Sequence, residues 1–213
     1  MQDAPTHGRA RRLATLAAAA VLTVFGVVSA VQGLDGRSTV RDALGQEVVV
    51  GEPQMTPAAI AALTRKAGLG DLALPTCSVA GRPIDDGADA RCFAQYMRID
   101  ALLATGGRTY AQMPRYGTRD GRGTNDLAAA IKLPNGVGLP NPARNVWITE
   151  TALSTALNTS YMAEQLSLFG IAVGAAFLLV GLALGAFALA GTRMPSLATA
   201  RRPAREPAAL VSR

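Results

Sequence analysis

Two stretches of this chain carry no charged residue: Leu13 to Leu34, between Arg12 and Asp35, and Gln165 to Thr192, between Glu164 and Arg193. As helices they would rise about 33 and 42 Å, against a hydrocarbon core of about 30 Å, so each is long enough to cross a bilayer, the second with tilt. Hydrophobic residues make up 49% of the chain and aromatics 5%, and these two runs hold much of that apolar content. The fold class expected is mainly α: a hairpin of two transmembrane helices with a small, mostly helical domain between them.

Charge gives the hairpin a direction. The net charge is +6 at pH 7, a balance that can mark a nucleic-acid binder, so its location matters. Residues 35–164 hold 13 Lys and Arg against 13 Asp and Glu. The excess therefore sits in the tails, in Arg9, Arg11 and Arg12 at one end and Arg193, Arg201, Arg202, Arg205 and Arg213 at the other. Basic residues flanking a span resist translocation, which places both termini in the cytoplasm and the middle outside. No folded segment carries a basic footprint for nucleic acid; the C-terminal arginines have anionic lipid headgroups as a secondary reading.

The organisation expected is a basic cytoplasmic tail (1–12), a first span acting as a signal-anchor (13–34), and an extracytoplasmic domain (35–164). A second span (165–192) continues a helix begun near residue 143, and a basic, disordered cytoplasmic tail (193–213) follows. The protein is multi-pass in the cell membrane. An alternative for the N-terminus is a signal peptide cleaved after Ala30, since Val28-Ser29-Ala30 follows the apolar run; the run exceeds the usual length, which favours an uncleaved anchor.

Within the middle segment, Ser38–Leu44 reads as a short juxtamembrane helix and Glu47–Val50 as a brief β-like run. Thr56-Pro57 is an N-cap followed by proline at the first helical position, predicting a helix over Pro57–Ala67 stopped by Gly68. A second helix is predicted from about Ala88 to Thr105, its core face carrying Phe93, Met97 and Ala101 with Tyr96, Ile99 and Leu103, ended by Gly106-Gly107. Residues 114–142 are too rich in Gly and Pro for a long regular element, with a short helix expected at Asp126–Ile131. Asn141-Pro142 repeats the capping signal. From Ala143 onward the pattern predicts one long helix, with Ala152, Leu153, Ala156, Leu157 and Ala163 packing on the domain. Its polar half, with Glu150, Thr151, Ser154, Thr155 and Asn158, would face solvent or a partner.

Three residue sets stand out. Cys77 and Cys92 are the only cysteines, and an even count in an exported segment predicts a disulfide. Closing a 15-residue loop contributes about 3 kcal/mol in the chain-entropy treatment. Gly170, Gly174, Gly181 and Gly185 form two Gly-x-x-x-Gly units within a stripe about 60° wide at 100° per residue. Such a face packs closely on another helix: the first span, a second copy or another membrane protein. Gly26, Ala30 and Gly33 are a weaker match in the first span. Of the aromatics near the second span, Tyr161 fits a headgroup-level anchor and Trp147 a core or interfacial position.

The inventory argues against catalysis. The one histidine, His7, is in the N-terminal tail, which leaves the middle segment without a His-based triad, zinc site or facial iron triad. Asp85, Asp86 and Asp89 lack the spacing of a calcium loop and read as an acidic run before a helix, so no metal site and no cofactor is expected. The chain is read as a non-catalytic envelope or membrane-complex scaffold whose partners are the bilayer and another membrane protein or a second copy of itself. The alternative is a tethered ligand-binding domain or enzyme without His-dependent chemistry.

The segments Met55-Thr56-Pro57, Cys77–Gly81, Tyr96–Ile99, Thr109–Met113 and above all Trp147–Met162 (WITETALSTALNTSYM) resemble a family of uncharacterised two-span membrane proteins from actinobacteria, over about residues 13–191. The resemblance implies the same hairpin and an uncleaved first span, and implies no activity. Some members carry labels taken from aromatic-ring-opening dioxygenases, whose histidine-rich iron site this middle segment lacks.

Overall fold

In the computed structural model the described residues are 4–190, with side chains from Gly8 onward. The predicted C-terminal tail (193–213), Met1–Asp3 and the side chain of His7 lie outside them. Among the described residues the chain is mainly helical and has no strand: α1 (Ala4–Gln46), α2 (Pro57–Lys66), α3 (Gly87–Ala104) and α4 (Ala143–Ala190), with a 3-10 turn at Tyr110–Gln112. Helices α1 and α4 are long and apolar enough to cross a membrane.

Two of the predicted boundaries shift. Ser38–Leu44 is not a separate helix, because α1 runs unbroken to Gln46: Gly33 and Gly36 lie inside it, and an isolated helical glycine weakens a helix without ending it. The β-like run reduces to two isolated bridges, Val50 with Pro83 and Gly51 with Ala80. Between them and α1, Val48 turns the chain at φ 52°, a left-handed conformation that costs a β-branched residue about 1–2 kcal/mol.

Two compact units divide the chain, residues 1–27 with 174–213, and Val28–Val173. In the described part of the first unit, α1 and α4 run antiparallel through small residues. A Cβ on Gly26 would lie 2.8 Å from the Gly174 carbonyl oxygen, and one on Gly181 would lie 2.6 Å from Thr23 Oγ1 and 2.9 Å from Thr23 N. The Thr23 hydroxyl is satisfied within its own helix, donating to the Ala19 carbonyl at 2.8 Å. Phe25 meets Phe177 edge-on at 5.3 Å. Large apolar side chains such as Val21, Leu182 and Phe187 point outward and are exposed.

The second unit is built around α3. Asp86 caps it, accepting from the Asp89 amide at 2.8 Å, and Gly106 and Gly107 stop it at φ 62° and 78°. Its buried residues include Ala90, Cys92, Tyr96, Ile99, Ala101 and Leu102; of the predicted face Tyr96, Ile99 and Ala101 are buried, while Phe93, Met97 and Leu103 are half-buried. Helix α2 packs Ile60 and Thr64 into the same core. As predicted, Thr56 caps α2, accepting from Ala59 N at 3.2 Å, and Gly68 follows its end with φ 72°.

The two cysteines are bonded, S–S 2.08 Å with their Cα atoms 6.1 Å apart, tying the loop before α3 to the helix itself. One turn on, the Tyr96 hydroxyl donates to the Cys77 carbonyl at 2.6 Å, so the same residue is held twice. Burial raises the Tyr96 phenol above its usual pKa.

Residues 114–142 contain turns where the helix at Asp126–Ile131 was expected. The loop is nonetheless ordered by backbone pairs, Tyr116 with Thr124 in both directions at 2.9 Å and Leu139 N to Ile131 O at 2.7 Å. Gly138 lies under the Tyr116 ring, where a Cβ would stand 2.8 Å from Cδ1. Buried Asn141 closes the loop: its Nδ2 donates to the Pro114 carbonyl at 3.0 Å, and its Oδ1 accepts from Ala143 N at 3.1 Å at the start of α4.

Candidate functional site

The inward line of α4 in the second unit is Trp147, Glu150, Ser154, Leu157, Tyr161 and Glu164, at the three- and four-residue steps of one helix face. That differs from the predicted apolar half: Leu153 is 48% exposed, while Glu150 is 6% exposed and Glu164 5%. Glu164 turns inward to partners on α1 and α3, whereas Glu150 is held by Ser154 of its own helix. Trp147, a core residue, donates from Nε1 to the Arg108 carbonyl at 2.9 Å.

Glu164 is the centre of a clasp that joins three helices. Its Oε1 accepts from Arg37 Nε of α1 at 2.9 Å and lies 3.7 Å from Arg41 Nε, and its Oε2 accepts from Gly87 N at 2.6 Å. Gly87 is the first residue of α3, where an amide has no intrahelical acceptor and the helix dipole favours an anion. A Cβ at Gly87 would stand 2.8 Å from both Glu164 Oε2 and Tyr161 Cα, so glycine is what lets α3 reach α4. Sequence reasoning treated Glu164 only as the edge of the second span. The available signal was that no other charged residue lies between Thr151 and Thr192.

A polar slot of about 260 Å³ separates α3 from α4, with Arg91, Gln95 and Arg98 facing Glu150, Ser154 and Asn158. Two of its arginines also make cation–π contacts, the Arg91 guanidinium 4.6 Å from the Tyr161 ring centroid and that of Arg98 5.5 Å from Trp147. Glu150 accepts from Ser154 Oγ at 2.8 Å. Of the partner-face residues, Glu150, Ser154 and Asn158 thus line the slot, whereas Thr151 and Thr155 are exposed.

The acidic trio Asp85, Asp86 and Asp89 brings ligand atoms within 4.8 Å of one another. Two of its members have structural work: Asp86 caps α3, and Asp89 accepts from Arg82 at 2.7 Å. Asp89 has a raised pKa, chiefly through burial and then through the Asp86 and Asp85 charges, against the pull of Arg82.

The four glycines of the predicted packing face lie against α1 in different degrees. Gly181 makes the close approach to Thr23 described above, and Gly174 is buried beneath Gly26. A Cβ at Gly170 or Gly185 would meet its nearest α1 atom at 3.6 or 3.8 Å, ordinary contact. An equally close approach comes from α1 itself, where a Cβ at Gly33 would lie 2.6 Å from the Ser167 carbonyl.

Two grooves flank the half-buried Phe93 and Met97. One, of about 590 Å³, runs past Glu52, Asp100 and Asn145; burial, and then the Glu52 charge, raise the Asp100 pKa. The other, of about 570 Å³, is apolar and lies between the end of α1, α3 and α4. Comparison with known protein families, with characterised proteins and with solved structures returned no match.

Proposed function

We propose that this chain is a non-catalytic interaction protein of the cell membrane, with α1 and α4 crossing as a hairpin, both termini in the cytoplasm and residues 35–164 outside. The observation that carries this reading is the exposure of the two apolar helices: only 11% of the most apolar window of each is buried, whereas a helix in a soluble core buries most of its face. Lipid is the environment that accepts such surfaces, and the basic tails give the orientation. The first span stays attached as a signal-anchor. The likeness of Trp147–Met162 to two-span actinobacterial proteins supports the same hairpin.

The interaction role rests on the second unit, whose buried charges are spent on its own architecture while Thr151 and Thr155 of α4 stay exposed. The partner is another membrane or envelope protein, or a second copy. Alkaline phosphatase inserted at Gly121, and a fluorescent protein at either terminus, test the topology: both should be active, and a periplasm-active phosphatase at the C terminus would overturn it. Photocrosslinkers at Thr151 and Thr155 in native membranes should trap one stoichiometric partner. Absence of any adduct, with a small molecule retained by the purified protein, would instead favour a tethered ligand-binding domain, the reading to which the apolar groove lends itself.

A further inference from the structure

We propose that the apolar groove holds one acyl chain of a phospholipid whose phosphate sits at Arg37 and Arg41, while its second chain remains in the leaflet. The inference rests on the membrane placement proposed above. The groove has a volume of about 570 Å³, and its walls include Leu44 of α1, Ile84 just before α3, Phe93 and Met97 of α3, and Leu153 and Leu157 of α4. The polar side chains among its lining residues are Glu47 and Ser160. Ligand sites commonly have this size and an apolar lining with few polar groups.

Position identifies the occupant. Ser160 is one turn before Glu164, after which α4 carries no charge to Thr192, so the groove begins about 6 Å beyond the polar boundary. It extends along α4 to Leu153, about 10 Å further, against about 15 Å for the hydrocarbon of one leaflet. A chain leaving the leaflet would exchange one apolar environment for another. It would cover Leu153, which lines the groove and is 48% exposed, the kind of apolar surface that marks a binding site.

The headgroup has its own contacts. Arg37, Arg41 and Leu44 follow one another at helical steps on α1, which puts the two guanidiniums between the apolar span and the groove. Both are tied to Glu164, and Arg41 also lies 3.9 Å from Asp86 Oδ2, yet their side chains remain 38% and 47% exposed. A guanidinium has five N–H donors, so the bonds to Glu164 leave donors for a phosphate.

The test uses the full chain in phosphatidylglycerol and phosphatidylethanolamine vesicles, with a phosphatidylglycerol bearing a diazirine near the end of one acyl chain. After photolysis, peptide mass spectrometry should find adducts in the spans and also at Phe93, Met97 or Leu153. Ala156→Trp, which fills the groove, should cut groove adducts at least about fivefold with the span adducts unchanged; Leu153→Gln, at an exposed wall position, should cut them as well. Adducts in the spans alone would overturn the inference and leave the membrane placement standing. An absence of span adducts would overturn both. A diazirine fatty acid without a phosphate should label the groove less than the phospholipid; equal labelling would refute the role given to Arg37 and Arg41.

Discussion

Replacing Glu164 tests whether one carboxylate joins α1, α3 and α4. In Glu164→Ala the Gly87 amide, 2.6 Å from Oε2 in the native protein, loses its acceptor in a buried position, at a cost of about 1–3 kcal/mol. The arginines add less than a fully buried pair would. Breaking such a pair costs about 3–5 kcal/mol, but the Arg37 and Arg41 side chains are 38% and 47% exposed and rehydrate once freed. Together these give about 2–4 kcal/mol for Glu164→Ala. Glu164→Gln keeps a carbonyl oxygen for Gly87 and loses the charge-assisted contacts, so it should cost about half as much. Hydrogen exchange of the full chain in nanodiscs would read this locally, since the first-turn amides of α3 open when the clasp does. The alanine variant should accelerate exchange at Gly87 to Ala90 about 30-fold or more, and the glutamine variant clearly less. Changes below about threefold in both, or equal changes, would refute the clasp as an energetic element.

Reducing the Cys77–Cys92 bond, or replacing both cysteines by serine, should lower the stability of the second unit by about 3 kcal/mol in a denaturant titration, with Tyr96 still bonded to the Cys77-position carbonyl. Gly181→Leu should disrupt α1–α4 packing, because its side chain meets Thr23 backbone, whereas Gly185→Ala should be near neutral; oxidative crosslinking of cysteines placed on the two helices separates these outcomes. Asp120 accepts hydrogen bonds from Thr118 and Arg122, which hold its pKa at about 2, below the model-compound 3.8. Its contribution to loop stability is therefore present above pH 3.8 and lost as the pH falls through about 2, and Thr118→Val should move its NMR titration upward. An unshifted titration in that variant would remove Thr118 as a cause.

Local signals were readable wherever a residue acts through its own neighbours. Thr56-Pro57 and Gly68 bracket α2 because a cap oxygen and a positive-φ glycine serve groups within four residues. The breakers at Gly106-Gly107 bound α3 for the same reason. The pairing of Cys77 with Cys92 needed only an even count, and α4 begins at Ala143 as its Asn141-Pro142 signal implies. Orientation about the helix axis was harder. Sorting α4 by polarity put Leu153 inward and Glu150 outward, since polarity counts the cost of burying a group and not the partner waiting for it. Arg91 and Arg98 on α3 and the hydroxyl of Ser154 create a polar interior that no single helix reveals. The predicted helix at Asp126–Ile131 failed similarly, the amide and carbonyl of its last residue, Ile131, being claimed by Gly117 and Leu139 across the loop.

What this sequence determined alone is the element plan: two uncharged runs that must be helical in lipid, a neutral middle with basic tails, two capped helix starts and a cysteine pair. Those follow from solvation and from backbone hydrogen bonds closed over a few residues. Only the tertiary structure decided that Glu164 is a clasp, that Gly26 and Gly33 approach α4 more closely than Gly170 or Gly185, and that Phe93 and Met97 border a groove. Each depends on which faces meet across gaps of tens of residues to more than a hundred, a matter of packing geometry and pairwise electrostatics that periodicity along one helix does not encode.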